Sequence, residues 1–183
     1  ASAGIIKLST NAANCESTSK RNHSIVTKNQ RFSGYATGGT LGNNSKTNYR
    51  LTLSQNKSDG FIENEFLNKK DSNQSEETFS LLKFKYNPTS NSSIQTALVY
   101  ADAKGGYDQW SLDNTYLKTQ SDDPGEDNQR SKGISIRMNS ENLKDFSVTS
   151  VTSILHTDSL YSYDSDWGNY LIDENFNLSG TSG

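Results

Sequence analysis

One cysteine, one methionine, two prolines and two histidines in 183 residues are very few, and each shortage removes a class of protein. Cys15 alone can close no internal disulfide, and it leaves no cysteine cluster for zinc or an iron–sulfur centre. His23 and His156 stand in no local signature that would pair a base with that thiol, so no enzyme, no catalytic residue and no cofactor is expected. Hydrophobic residues make up only 31% of the chain, against roughly 45–50% in ordinary globular domains. A conventional apolar core is therefore hard to fill. No apolar run approaches the roughly 18 residues of a membrane-spanning helix, which excludes a helical membrane protein and leaves a strand-based one open. The net charge is -3 and the pI about 5.4. With no basic stripe beyond Lys20-Arg21 and Lys69-Lys70, no nucleic-acid partner is expected. The opening Ala-Ser-Ala-Gly carries no signal-peptide pattern, as in a mature product or an excised segment.

What is present is aromatic and alternating. Nine Tyr and seven Phe are more than a disordered chain of mean hydropathy -0.82 would carry. Short stretches alternate with period two, the strand signature, so the fold is expected to be all-β. In 48–55, Tyr49, Leu51 and Leu53 point one way and Arg50, Thr52 and Ser54 the other. In 78–86, Leu82, Phe84 and Tyr86 oppose Lys83 and Lys85, and two lysines facing a dry core would be costly. Further strands are expected at 32–41, 93–101, 133–140 and 146–156, with another possible start at 175–183.

The connections sharpen this. Segments 42–47, 87–92 and 141–145 are short and built from turn residues, whereas 56–77, 102–132 and everything after 157 are long and polar. Short turns at one end of an antiparallel up-and-down meander and long loops at the other are the plan of a transmembrane β-barrel, with periplasmic turns and extracellular loops. About six to eight strands fit. That set does not close a large barrel, and an open edge in lipid leaves unpaired backbone groups. The chain is expected to be part of a larger barrel.

Several segments then become recognisable. Gly34-Tyr35 to Leu41, the run Tyr49 to Ser54 with Ser58-Asp59-Gly60-Phe61-Ile62-Glu63-Asn64, and Tyr86-Asn87-Pro88 resemble the first barrel strands of TonB-dependent outer-membrane receptors. Gly106 to Asn114, Ser121 to Asp127 and Tyr163 to Asn169 are similar to outer-loop segments of one branch of that family. Ala3 to Thr10 is similar to the end of the plug domain. The resemblance implies residues 1–22 as the end of the plug and the connection to the barrel, and 23–183 as the N-terminal portion of the barrel. It also implies a place in the outer membrane of a Gram-negative bacterium, with lipid, the remaining strands and plug, TonB (through the missing plug) and a small-molecule ligand as partners. The implied activity is energy-coupled uptake of a scarce ligand such as a ferric siderophore, cobalamin or a sugar. The family's barrel has 22 strands, so this chain would be a fragment or one piece of a split barrel.

The richest loop chemistry lies in 102–132, where Tyr107, Trp110 and Tyr116 stand among Asp108, Asp113, Asp122, Asp123, Glu126 and Asp127. Aromatic rings beside carboxylates suit a sugar ring or an aromatic siderophore, stacking on a face and hydrogen-bonding at the rim. Tyr163-Asp164-Ser165-Asp166-Trp167 repeats the combination. The expected ligand-binding residues are therefore Tyr107, Asp108, Trp110, Asp164, Asp166 and Trp167, with both loops at the same end of the strands. The alternative for these aromatics is packing within solvated loops or a girdle at the lipid interface. Asp122 to Asp127 and the Asp164 and Asp166 pair offer hard oxygen ligands, but neither follows the twelve-residue calcium-loop template, and no metal is expected. The other functional class is a soluble or cell-surface all-β adhesin or carbohydrate-binding module. Micelle partitioning separates the two.

Overall fold

The computed structural model describes residues 10–26, 30–43, 45–111, 117–143 and 146–171. Every named element is a strand: β1 (Thr18–Ile25), β2 (Arg31–Thr40), β3 (Thr47–Ser58), β4 (Glu63–Asn64), β5 (Ser75–Thr89), β6 (Ser92–Tyr107), β7 (Lys118–Thr119), β8 (Gly125–Leu143) and β9 (Phe146–Tyr161). Seven of them form one sheet in the order β1-β2-β3-β5-β6-β8-β9, each antiparallel to its neighbour. The fold is all-β and the sheet an up-and-down meander. The two-residue strands β4 and β7 pair in parallel, away from the sheet.

The alternation sets the faces. Residues directly opposite in an antiparallel pair share a face, and the register lines up Leu51, Leu82, Leu98, Ile134 and Ile154 as one aliphatic row across five strands. The row on one side of it runs Tyr49, Phe84, Thr96, Ile136, Thr152, and the next Thr47, Tyr86, Ile94, Met138, Ser150. Toward the long loops the same face turns charged, with Gln55, Thr78, Asp102, Arg130 and Asp158 in one row. Ion pairs Lys57–Glu76 (2.8 Å) and Arg130–Asp102 (3.1 Å) lie in this zone. The opposite face carries Arg50 beside Lys83, then Ala97, Ser135 and Ser153. Tyr49, Leu51 and Leu53 are thus divided from Arg50, Thr52 and Ser54 as the alternation requires, and Leu51 shares no face with Lys83.

Before β1 the chain crosses the polar face. Lys83 Nζ donates to the Thr10 and Asn11 carbonyl oxygens at 3.3 and 3.1 Å and to Thr10 Oγ1. Ala13 is buried in this segment. Gly38 permits the close approach of β2 to β3, since a Cβ there would meet the Tyr49 carbonyl oxygen at 2.9 Å.

Three differences from the sequence reading have physical causes. β1 starts at Thr18, ahead of residue 23, and has only Ile25 as a large apolar side chain, so it gives no period-two signal. The strands run further toward the loops than expected, through Ser58, Tyr107, Gly125 and Tyr161. Apart from Tyr107, Leu160 and Tyr161 those extensions are polar or small on both faces, which hides their ends. β5 continues through Pro88 to Thr89, with a bulge between Tyr86 and Thr89, a place where a missing N–H is tolerated. Residues 3–9, Asp113, Tyr116 and 175–183 lie outside the described residues.

The sheet has almost no interior of its own. Among the described residues the buried hydrophobic ones are Ala13 and Ile62, neither on a sheet strand. Ile154, Leu155 and Phe146 are 68%, 65% and 64% exposed. Each such side chain forgoes about 1.5–3 kcal/mol of burial.

Candidate functional site

The long loops share the end of the sheet where β3, β6 and β9 finish. There residues 59–74, 108–111, 117–124 and 162–171 pack on one another around a buried polar network. Asn64 is fully buried and Asp108, Thr119 and Ser121 are nearly so. Asn64 Nδ2 donates to Asp108 Oδ2 (2.9 Å) and to the Ser121 carbonyl oxygen (2.8 Å), and Thr119 Oγ1 donates to the same Asp108 oxygen (2.9 Å). Asn64 Oδ1 accepts from the Leu67 N–H at 2.8 Å. The β4–β7 pairing brings Asn64 beside Thr119, and the Lys118–Glu65 ion pair with the Gln120–Glu65 hydrogen bond clasps it from outside. The third loop joins through Asn169 Nδ2, which donates to the Gln120 carbonyl oxygen (2.7 Å), and through the Asp122 N–H, which donates to the Gly168 carbonyl oxygen (3.0 Å).

Aromatic residues at the same end pair with one another. Trp110 and Trp167 stack with ring centroids 5.8 Å apart and an interplanar angle of 28°. Tyr107 meets Tyr161 edge-on at 5.1 Å, and Tyr161 lies 5.9 Å from Tyr163. Trp110 and Trp167 are 53% and 39% exposed, so the pair presents indole surface to solvent. Trp167 holds a left-handed backbone, φ +55°, at a cost of about 1–2 kcal/mol for an L-residue. Asp164 holds that turn: its Oδ1 accepts from the Asp166 and Trp167 N–H groups at 3.2 and 3.3 Å. Gly168 N–H donates to Asp166 Oδ1 at 3.0 Å.

Asp164 is the strained carboxyl of the cluster. Burial pushes its pKa above the usual carboxylate range, and the neighbouring Asp166 carboxyl adds to the rise. Ser121 is the neighbour that favours the charged form. Ser121 does so as a side-chain hydrogen-bond donor to the Asp164 carboxyl, and both groups are shielded from solvent.

The six sequence candidates therefore come together at one end, with different duties. Trp110 and Trp167 stack, Tyr107 supports them from β6, and Asp166 is exposed beside them. Asp108 is turned inward, 3% exposed, with Oδ2 occupied by Asn64 and Thr119. Asp164 braces the Trp167 turn. Residues missed by sequence reasoning are Asn64, Thr119, Ser121 and Asn169. They are polar residues in polar loops, and only their convergence in space distinguishes them. No group of three or more His, Cys, Asp or Glu side chains gathers among the described residues. Compared with protein-family models, with curated proteins and with solved structures, the chain matches none.

Proposed function

We propose that this chain is part of a transmembrane β-barrel of the TonB-dependent receptor kind, set in the outer membrane of a Gram-negative bacterium, whose outer loops take part in binding a scarce small molecule for uptake. The observation that carries the reading is the banding of an open sheet: an aliphatic row across five strands with charge toward the loops, while the reverse face mixes Arg50, Lys83, Ala97, Ser135 and Ser153 with a shorter apolar set, Leu81, Val99 and Leu155. A lipid-facing surface needs that band, and a water-filled lumen needs the other face. Strands β5, β6, β8 and β9, with 15, 16, 19 and 16 residues, exceed the usual 3–10 of globular proteins. They are long enough to cross a bilayer and continue beyond it.

The edges support the same reading. Among the described residues β9 is an edge strand of sixteen residues, paired with β8 on one side and with no strand on the other, and it has no proline and no lysine to blunt that edge, a surface that proteins otherwise protect. In a barrel the next strand covers it, so the remaining strands and plug are the partners this reading requires. The segment held on the polar face by Lys83 lies where a chain arriving from a plug would enter the wall. A soluble adhesin or carbohydrate-binding module would need an apolar interior, and among the described residues no large apolar side chain on a sheet strand is buried.

The Trp110–Trp167 stack is the ligand-facing element of this proposal, with Tyr107 and Asp166 at its rim, and an aromatic or sugar ring is the chemistry it suits. The test is partitioning. The protein should enter detergent micelles and migrate differently on electrophoresis before and after heating. A chain that stays monodisperse in plain buffer would sink the barrel reading.

A further inference from the structure

Charge is spread unevenly along the face that carries the aliphatic row. The two rows on its short-turn side, through Tyr49 and through Thr47, hold no charged side chain. The three rows on its loop side, through Tyr35, Ser33 and Arg31, hold six Lys and Arg side chains against three carboxylates, a cationic belt on a chain whose net charge is -3. Glu76, Asp102 and Asp158 are already engaged by Lys57, Arg130 and His156, whereas Arg21, Arg31, Lys104 and Lys132 form no ion pair among the described residues. A groove of about 930 Å³ lies at the β1 end of this belt, with Arg21, His23, Ser33, Tyr35, Leu53 and Gln55 in its lining. Arg21 stands over the Tyr35 ring, 5.8 Å from its centroid, and His23 Nδ1 lies 2.9 Å from Ser33 Oγ. From Leu53, one row further from the loops and about 6.8 Å along the strand, come Leu51 and its neighbour Leu82.

We propose that this groove seats the headgroup phosphate of an anionic membrane lipid, held by Arg21 with the His23, Ser33 and Tyr35 side chains beside it, while the acyl chains lie over Leu53, Leu51 and Leu82. The proposal rests on the barrel reading and adds a partner to it. A guanidinium meets phosphate in a two-pronged, charge-assisted pair, and cations at the edge of a bilayer draw anionic lipids to them. The two halves of the groove select the occupant. Free phosphate satisfies Arg21 and leaves the leucines bare, and an acidic protein surface does the same. An amphiphile with its charge at one end matches both halves. The belt lies only on the loop side of the aliphatic row, so the lipid belongs to the leaflet nearer the long loops.

Phosphatidic acid is the probe, compared with phosphatidylcholine of the same acyl chains. The full chain in maltoside micelles, given equal amounts of both, is read by native mass spectrometry for the lipid retained on the protein. Phosphatidic acid should be favoured about fivefold or more, the preference that a single cation at a membrane surface supplies. Arg21→Gln should remove most of that preference and His23→Leu part of it. Lys20→Gln takes the same charge from the adjoining position on the opposite face and should leave it unchanged. Electrophoretic migration before and after heating reports separately whether each variant keeps its fold, and if Arg21→Gln loses that shift, His23→Leu decides. Equal retention of the two lipids by a heat-modifiable parent, or the same fall in Lys20→Gln as in Arg21→Gln, would overturn the lipid site and leave the barrel reading standing. Displacement by excess glycerol phosphate would replace the lipid with a free-phosphate site. A chain that enters no micelle removes both readings together.

Discussion

The sheet and the loop cluster are stabilised in opposite ways. The sheet spreads large apolar side chains over a face with nothing packed on it, while the much smaller cluster buries Asn64, Asp108, Thr119, Ser121 and Asn169 almost completely. The cluster carries its own interior, made of hydrogen bonds. The sheet borrows one from its surroundings. A polar interior holds only when every member is paired, whereas an apolar face tolerates any surroundings that exclude water. The comparison teaches that the sheet should be sensitive to which face receives a charge, and the cluster to the loss of single acceptors.

The largest expected effect is on the sheet. Leu51→Arg places a cation in the aliphatic row and should cost about 2–4 kcal/mol in a bilayer, read as loss of folded protein in urea titrations of the membrane-inserted form. Thr52→Arg, one residue away on the other face, should stay within about 0.5 kcal/mol. Equal effects would erase the distinction between the faces.

Next comes the cluster. Asp108→Ala removes the acceptor shared by Asn64 and Thr119 and strands two buried donors, a loss of about 1–3 kcal/mol. Limited proteolysis should then cut within 59–74 or 108–124 while the sheet remains protected. Protection of both would show that the network is dispensable.

How much of this could be read beforehand depends on where the signal resides. Tyr49, Leu51 and Leu53 announced a strand and its face because alternation is a local property. The same rule was silent for Thr18–Ile25, whose residues are polar on both sides and become a strand only by pairing with β2. In the loops, Trp110 and Trp167 stood out by residue type, and their shared end followed from the short turn between β8 and β9. Asp108 was legible as a carboxylate near aromatics but not as a buried hinge of the network, since its partners lie 44 and 11 positions away. Ser121 could not be singled out at all, because a serine in a serine-rich chain carries no mark until a fold buries it.

Trp110→Ala should have a smaller consequence. Losing the stack on Trp167 removes about 0.5–1.5 kcal/mol beyond lost area. On the receptor reading proposed above, ligand affinity of the completed barrel should fall with it, and unchanged affinity in the Trp110→Ala, Trp167→Ala double variant would reduce both to loop packing.

The smallest effect is a pH slope. Asp164 has a raised pKa, so the folded loops bind a proton more readily than the unfolded chain. Stability should then fall as pH rises from the ordinary Asp value of 3.8 through the raised one, and be greatest on the acid side of that window. Asp164→Asn should flatten the slope. A slope of the opposite sign in the parent would contradict the account of Asp164.

The central proposal, that the aliphatic row faces lipid and the Arg50–Lys83 face lines water, is tested most directly by spin labels placed singly at positions 49–54 in the completed barrel that it requires, with Cys15 replaced by serine. Labels at 49, 51 and 53 should collide with oxygen dissolved in lipid, and those at 50, 52 and 54 with a water-soluble nickel complex, alternating without exception. Six labels equally open to the nickel complex, or the alternation reversed, would contradict it.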